Sequence, residues 1–192
     1  MSDDTATELF RRFLEEVGLD ETVDPELRST PERFTELLRE MFAGVEADPP
    51  VLSTFPIDSL GTDAEAEPVV VSGLQFYSMC VHHLVPMFGF IDVAYIPRDR
   101  MVGFGSIGRI IDHFARRPQV QERLVAQVAD YLERQLEPEG LLVRCRARQM
   151  CMELRGSKKR GSLVTTASRG TLQSGLQRSE VLDQFENSEA DR

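Results

Sequence analysis

Cysteine and histidine are both scarce in this chain, with three of each among 192 residues. Cysteines at 80, 145 and 151 are too few for a disulfide framework; in a reducing compartment such thiols ligate metals or pack in a core. No apolar run is long enough to cross a bilayer. The stretch MSDDTATELF is acidic where a signal peptide is positive, so the expected compartment is the cytoplasm. Positive charge is also in deficit: 22 Lys and Arg against 32 Asp and Glu leave a net charge of −10. That field opposes long-range attraction to nucleic acid and anionic membranes, and neither is an expected partner. An anionic small molecule stays admissible wherever a local basic cluster outweighs the field. No internal repeat is present.

Hydrophobic residues make up 41% and charged residues 28% of the chain, which suits one packed domain with a helical extension. Two helices open it. Thr5 and Glu8 form a capping-box pattern ahead of an apolar stripe of Leu9, Phe10, Phe13, Leu14 and Val17. In STPERFTELLREMF, Thr30 reads as N-cap and Pro31 as the first helical residue. Gly44 to Glu67 is acidic and rich in Pro and Asp, the composition of a long loop.

From Pro68 the period changes. VVVSGLQFYSM and MFGFIDVAYIP read as strands, GSIGRIIDHFARR and PQVQERLVAQVADYLERQL as helices. LLVRCRARQMCMEL alternates with period two, which places Cys145, Ala147, Gln149 and Cys151 on one strand face. GSLVTTASRGTL is its partner strand, across the turn GSKKRG, and a short helix is expected near Val181 to Phe185. The fold class is α+β, an antiparallel sheet with helices packed on one face and an N-terminal helical extension. The expected divisions are residues 1–67, 68–173 and 174–192.

In SMCVHHL, Cys80, His82 and His83 fall within four positions. A thiolate and an imidazole three residues apart can converge on a tetrahedral ion, although a half-buried strand end hydrogen-bonded to backbone reads the same way. Cys151 lies where a second strand pair can bring it to the first. Cys80, His83 and Cys151 would then hold a metal with one position left for water, as catalytic zinc requires, and His82 would sit beside that water. Cys145 is a fourth candidate, equally readable as a small core residue, and is assigned to the core.

Four ordered segments, TPERF, FYSMCVHHLVPMFGFIDVAYIP, GRIIDHFARRPQVQERL and MCMELRG, resemble the GTP cyclohydrolase I family. The resemblance implies the tunnelling fold (T-fold), toroidal assembly, commonly a homodecamer, and active sites at subunit interfaces. It implies Zn2+ on Cys80, His83 and Cys151, activating the water that attacks C8 of the guanine ring of GTP. Formate then leaves, and the product closes to 7,8-dihydroneopterin triphosphate. Glu122, with Gln121 beside it, matches the guanine-binding stretch, where a carboxylate accepts from adjacent N–H groups. Arg109 and Arg155 match triphosphate-binding arginines, and Arg33 a further basic position facing the phosphates.

The chain departs from the family pattern at three places. Val81 stands where the family has Glu, and Phe104-Gly105-Ser106 where it has Leu-Ser-Lys. Gln149 stands where it has a His that acts as general acid and base. Glutamine does not titrate near neutral pH, and such catalysis typically contributes ~10²–10⁴-fold. His82 is the expected substitute proton carrier. Two alternatives follow from these losses: a hydrolase that stops at the ring-opened formamide or takes another purine, and a non-catalytic nucleotide-binding relative.

Overall fold

The computed structural model describes residues 3–57 and 67–190. By contact density the chain falls into two compact units, Met1–Ala43 and Gly44–Arg192.

The first unit is a helical hairpin. Helix α1 (Asp3–Glu16) begins ahead of Thr5, so Thr5 lies inside the helix instead of capping it. A short 3-10 helix (Pro25–Ser29) leads into α2 (Thr30–Met41), whose N-cap is Ser29, one residue before the expected Thr30. Phe10 stacks on Phe34 with ring centroids 4.1 Å apart, and Arg11 bridges to Glu21 and Glu32 at 3.0 and 2.8 Å.

In the second unit the sheet order is β5-β2-β3-β6-β7. Strands β2 (Val69–Cys80), β3 (Pro86–Ile96), β6 (Gly140–Gln149) and β7 (Leu163–Gly170) run antiparallel to their neighbours. Only the two-residue β5 (Pro118–Gln119) joins parallel, against the end of β2. Two further short strands, β1 (Thr54–Pro56) and β4 (Arg100–Val102), pair with each other, so the expected long loop is interrupted by structure; its residues 58–66 lie outside the described residues.

Helices α3 (Phe104–Ala115) and α4 (Gln121–Leu136) cover one sheet face. Their apolar stripes interlock with Ile91, Val93, Tyr95, Leu141 and Val143 in the main core. This is the expected T-fold arrangement. The opposite face is covered at one end, where α6 (Leu176–Ala190) seats Val181 and Phe185 on Ala94, Ile96 and Leu142. The helix is longer than the Val181–Phe185 core that periodicity suggests. In β2 the register slips between Val71 and Leu74. Gly73 takes φ +76° there, freely available only to glycine, and its N–H donates to buried Asp92 at 2.8 Å.

One expectation fails locally. Strand β6 stops at Gln149, and Cys151 lies on a one-turn helix, α5 (Met150–Glu153). The ladder to β3 ends at the Met87–Gln149 pair, so the chain beyond has no strand to bond to. It closes on itself through Leu154 N–H to the Met150 carbonyl at 2.9 Å, held by the Arg148–Glu153 ion pair.

Candidate active site

Cys80 ends β2, where the chain turns sharply. Its N–H donates to the Val85 carbonyl and its carbonyl accepts from Leu84 N–H, both at 2.9 Å, with Leu84 in the left-handed region at φ +49°. Val81 N–H donates to the Gln119 carbonyl of β5 at 2.9 Å. These bonds pin the turn, bury Cys80 and leave His82 and His83 exposed.

Helix α5 brings Cys151 to this turn. The ligand atoms of Cys80, His83 and Cys151 all lie within 4.8 Å of one another. A tetrahedral ion with bonds of about 2.0–2.3 Å spaces its ligand atoms by roughly 3.5 Å, so small side-chain rotations close this set on one ion. The protonation chemistry fits a cation as well. Burial first, then the neighbouring Cys80, push the Cys151 thiol above its ordinary value. Two thiols at one site resist becoming two thiolates, and a cation between them reverses that resistance.

Cys145 does not join them. It is 0% exposed on the core face of β6, and burial, then the charges of Asp92 and Glu122, push its thiol up. Alkylating the native metal-free protein should therefore modify Cys151 well before Cys145, with metal protecting Cys151; peptide masses after iodoacetamide read the order.

Beside these three side chains opens a cavity of about 350 Å³. Cys80, His82, Gln121, Glu122, Gln149 and Cys151 line it. Glu122 is exposed in the first turn of α4, where the helix N-terminus favours its negative charge. His82 Nδ1 lies 3.8 Å from Cys80 Sγ. Arg155 reaches the site from beyond α5, its Nη1 2.6 Å from His83 Nε2. A metal on that nitrogen would displace the guanidinium and free it for an anion.

Arg109 is not brought into this cavity. It is exposed on α3, and its Nη2 donates to Ser106 Oγ at 2.8 Å. Arg33 lies exposed on α2 of the first unit. The structure adds residues that the sequence did not single out. Leu163 and Met152 supply apolar wall, and buried Gln119 holds the start of α4 through bonds to the Phe114 carbonyl and Gln127, both at 2.8 Å. Leu163 enters through strand pairing 42 residues from Gln121, which no local spacing announces.

The model of the family described as GTP cyclohydrolase I matches residues 6–186. The chain belongs to the GTP cyclohydrolase I family. Among its curated relatives, the GTP cyclohydrolase 1 of Geobacillus kaustophilus is 42% identical over 175 residues, covering 90% of each chain. That of Carboxydothermus hydrogenoformans is 41% identical over 83% of this chain and 82% of its own. That of Streptococcus agalactiae serotype Ia is 43% identical over 83% of each.

The three departures from the GTP cyclohydrolase I pattern have structural counterparts. Val81 is 39% exposed on the ligand turn. Ser106 is 3% exposed, and its Oγ accepts from Ser53 N–H at 3.1 Å as well as from Arg109. Gln149 is half-buried, and its Nε2 donates to Gln121 Oε1 at 2.8 Å.

Proposed function

We propose that this chain is a zinc-dependent GTP cyclohydrolase that opens the imidazole ring of GTP at C8, with one net water consumed per formate and 7,8-dihydroneopterin triphosphate released. The observation that carries the reading is the convergence of Cys80, His83 and Cys151 beside a cavity that also presents Glu122 and His82. Zinc bound there supplies a Lewis acid that lowers the pKa of a water, with its fourth position open.

The chain's own groups do the rest. The Glu122 carboxylate accepts from the adjacent N1–H and 2-amino groups of guanine, with Gln121 beneath it. His82 moves protons at the reacting ring, and Gln149 hydrogen-bonds it. Arg155, Arg109 and Arg33 pair with the triphosphate, where forked guanidinium donors match phosphate oxygens. Arg109 lies outside the cavity of its own chain, and Leu84, Leu154, Leu163 and Val164 are exposed apolar residues on the site's turn, α5–β7 loop and edge strand. Both features favour a toroidal homo-oligomer, up to a decamer, with sites shared between subunits; the compartment is the cytoplasm. Among the described residues, no helix is long and apolar enough to cross a membrane.

Zinc-loaded protein incubated with GTP tests the reading by formate release and pterin fluorescence. Gln149, which cannot titrate, favours a second reading in which the reaction stops at the ring-opened formamide. Accumulation of that species by mass selects the second reading, and release of neither product sinks both. Glu122→Ala is expected to lower kcat/KM for GTP by about 10²-fold, from losing hydrogen bonds to a charged group worth about 1.5–3 kcal/mol. It should also erase most preference for GTP over ITP, which lacks the 2-amino group. An unchanged preference would remove Glu122 from base recognition.

A further inference from the structure

The two glutamines of the cavity form a pair whose polarity is set from the protein side. Gln121 is 2% exposed. Its Nε2 lies 2.9 Å from the Leu163 carbonyl, 3.1 Å from the Cys145 carbonyl and 3.1 Å from Thr165 Oγ1. Main-chain carbonyls only accept, so the amino end of this amide faces them. Its Oε1 is left for Gln149, whose Nε2 donates to it at 2.8 Å. That bond orients the second amide in turn, and Gln149 Oε1 remains. Among the described residues no donor engages this oxygen, and Gln149 lines the cavity beside Cys80 and Cys151.

We propose that Gln121 is a positioning residue that holds Gln149 as an obligate hydrogen-bond acceptor toward the cavity, where Gln149 Oε1 receives a ring N–H of the purine. This rests on the functional reading above and deepens it. Intact guanine offers only a lone pair at N7. Addition of water across the C8–N7 bond puts OH on C8 and hydrogen on N7, and the ring-opened formamide keeps that N–H. An acceptor of fixed polarity therefore favours the hydrated and opened forms over the starting ring. Its contribution falls on kcat and not on KM, because the interaction is made only after the ring begins to change.

A kinetic double-mutant cycle on the zinc-loaded full chain tests this. Gln121→Ala and Gln149→Ala should each lower kcat by about 10-fold with KM moved less than about twofold, the loss of one ordinary hydrogen bond. The double variant should be no slower than Gln149→Ala, because Gln121 acts only through its partner. Losses that multiply toward 100-fold, or a silent Gln121→Ala, overturn the proposal. If Gln121→Ala does not fold, Gln121→Glu keeps the size. Protonated, that carboxyl still donates to the carbonyls and accepts from Gln149; ionised, it cannot donate. Activity should then fall as pH rises through its titration, and the limb should vanish when Gln149→Ala is added. A limb that persists without Gln149 overturns the proposal. Wild-type protein that leaves GTP untouched disposes of the functional reading instead. Neutron diffraction then judges the pair alone: deuterons on the cavity-facing atom of Gln149 refute it, and a bare oxygen there supports it.

Discussion

Cys151→Ser is expected to give a folded protein that holds no stoichiometric metal and turns GTP over at least about 10³-fold more slowly. Among the described residues, Cys80, His83 and Cys151 form the one group of three whose ligand atoms converge. A three-ligand site with an open position has no donor to spare, so losing one leaves two and an ion held too weakly to survive dialysis. Several kcal/mol of charge stabilisation go with it, and each 1.36 kcal/mol is tenfold in rate. The fold should tolerate the change, because Cys151 is half-buried on a single helical turn outside the main core. Cys145→Ser is the matched control. That thiol is fully buried in the core, so its loss should cost stability and leave metal content at one per chain. Elemental analysis beside circular dichroism reads both. A Cys151→Ser protein that retains full metal would show that the ligand set is wrong.

The largest expected stability effect lies midway along the β3–β6 ladder, on the sheet face that α6 covers. Asp92 and Arg144 face each other across the β3–β6 ladder, with side chains 1% and 4% exposed. Arg144 donates from Nε at 3.0 Å and from Nη2 at 2.9 Å to Asp92 Oδ2, while Asp92 Oδ1 accepts from Gly73 N–H at the bulge. The guanidinium also sits 5.0 Å from the centre of the Phe185 ring, under α6. Arg144→Ala removes the guanidinium that bonds the buried Asp92 carboxylate twice, a change that costs about 3–5 kcal/mol. For a chain of this size the melting temperature should drop by roughly 6–20 °C, at about 2–4 °C per kcal/mol. Amide exchange in α6 should accelerate, since Phe185 loses the guanidinium against its ring. Combining Asp92→Asn with Arg144→Met removes both charges, keeps an acceptor for Gly73 and should recover most of the loss. Urea titrations of the three proteins measure this, and a double variant as unstable as Arg144→Ala would refute the uncompensated charge as the cause.

The candidate metal site was legible in the sequence to the extent that its chemistry is local. Cys80 and His83 are three residues apart at the end of an apolar run, and that spacing survives any detail of packing. Cys151 was legible as a residue and misread as backbone. Alternation predicts a continuing strand, but a strand exists only where a neighbour supplies hydrogen bonds, and β3 runs out at Met87. Thr5 departs in a different way, at a helix start. Its capping pattern is present, yet the helix extends past it to Asp3.

Other features depend on pairings that no spacing encodes. Gln121 meets Gln149 because α4 lies against the end of the sheet, and its amide is turned by Leu163 and Thr165, residues that β6–β7 register places opposite Ala147 and Cys145. Asp92 and Arg144 stand 52 residues apart, and sheet register buries them as one pair.

Composition, periodicity and a handful of motifs thus carry the α+β class, the order of the long strands and helices, the residues of the convergent Cys–His–Cys group and the family. These rest on contacts within a few positions of chain, or on patterns repeated along an element. The polarity of the Gln149 amide, the exclusion of Cys145 from the ligands and the burial of the Asp92–Arg144 pair come from the folded chain alone. Each depends on which strand lies beside which and in what register, and register is settled by the packing of whole faces rather than by any one residue.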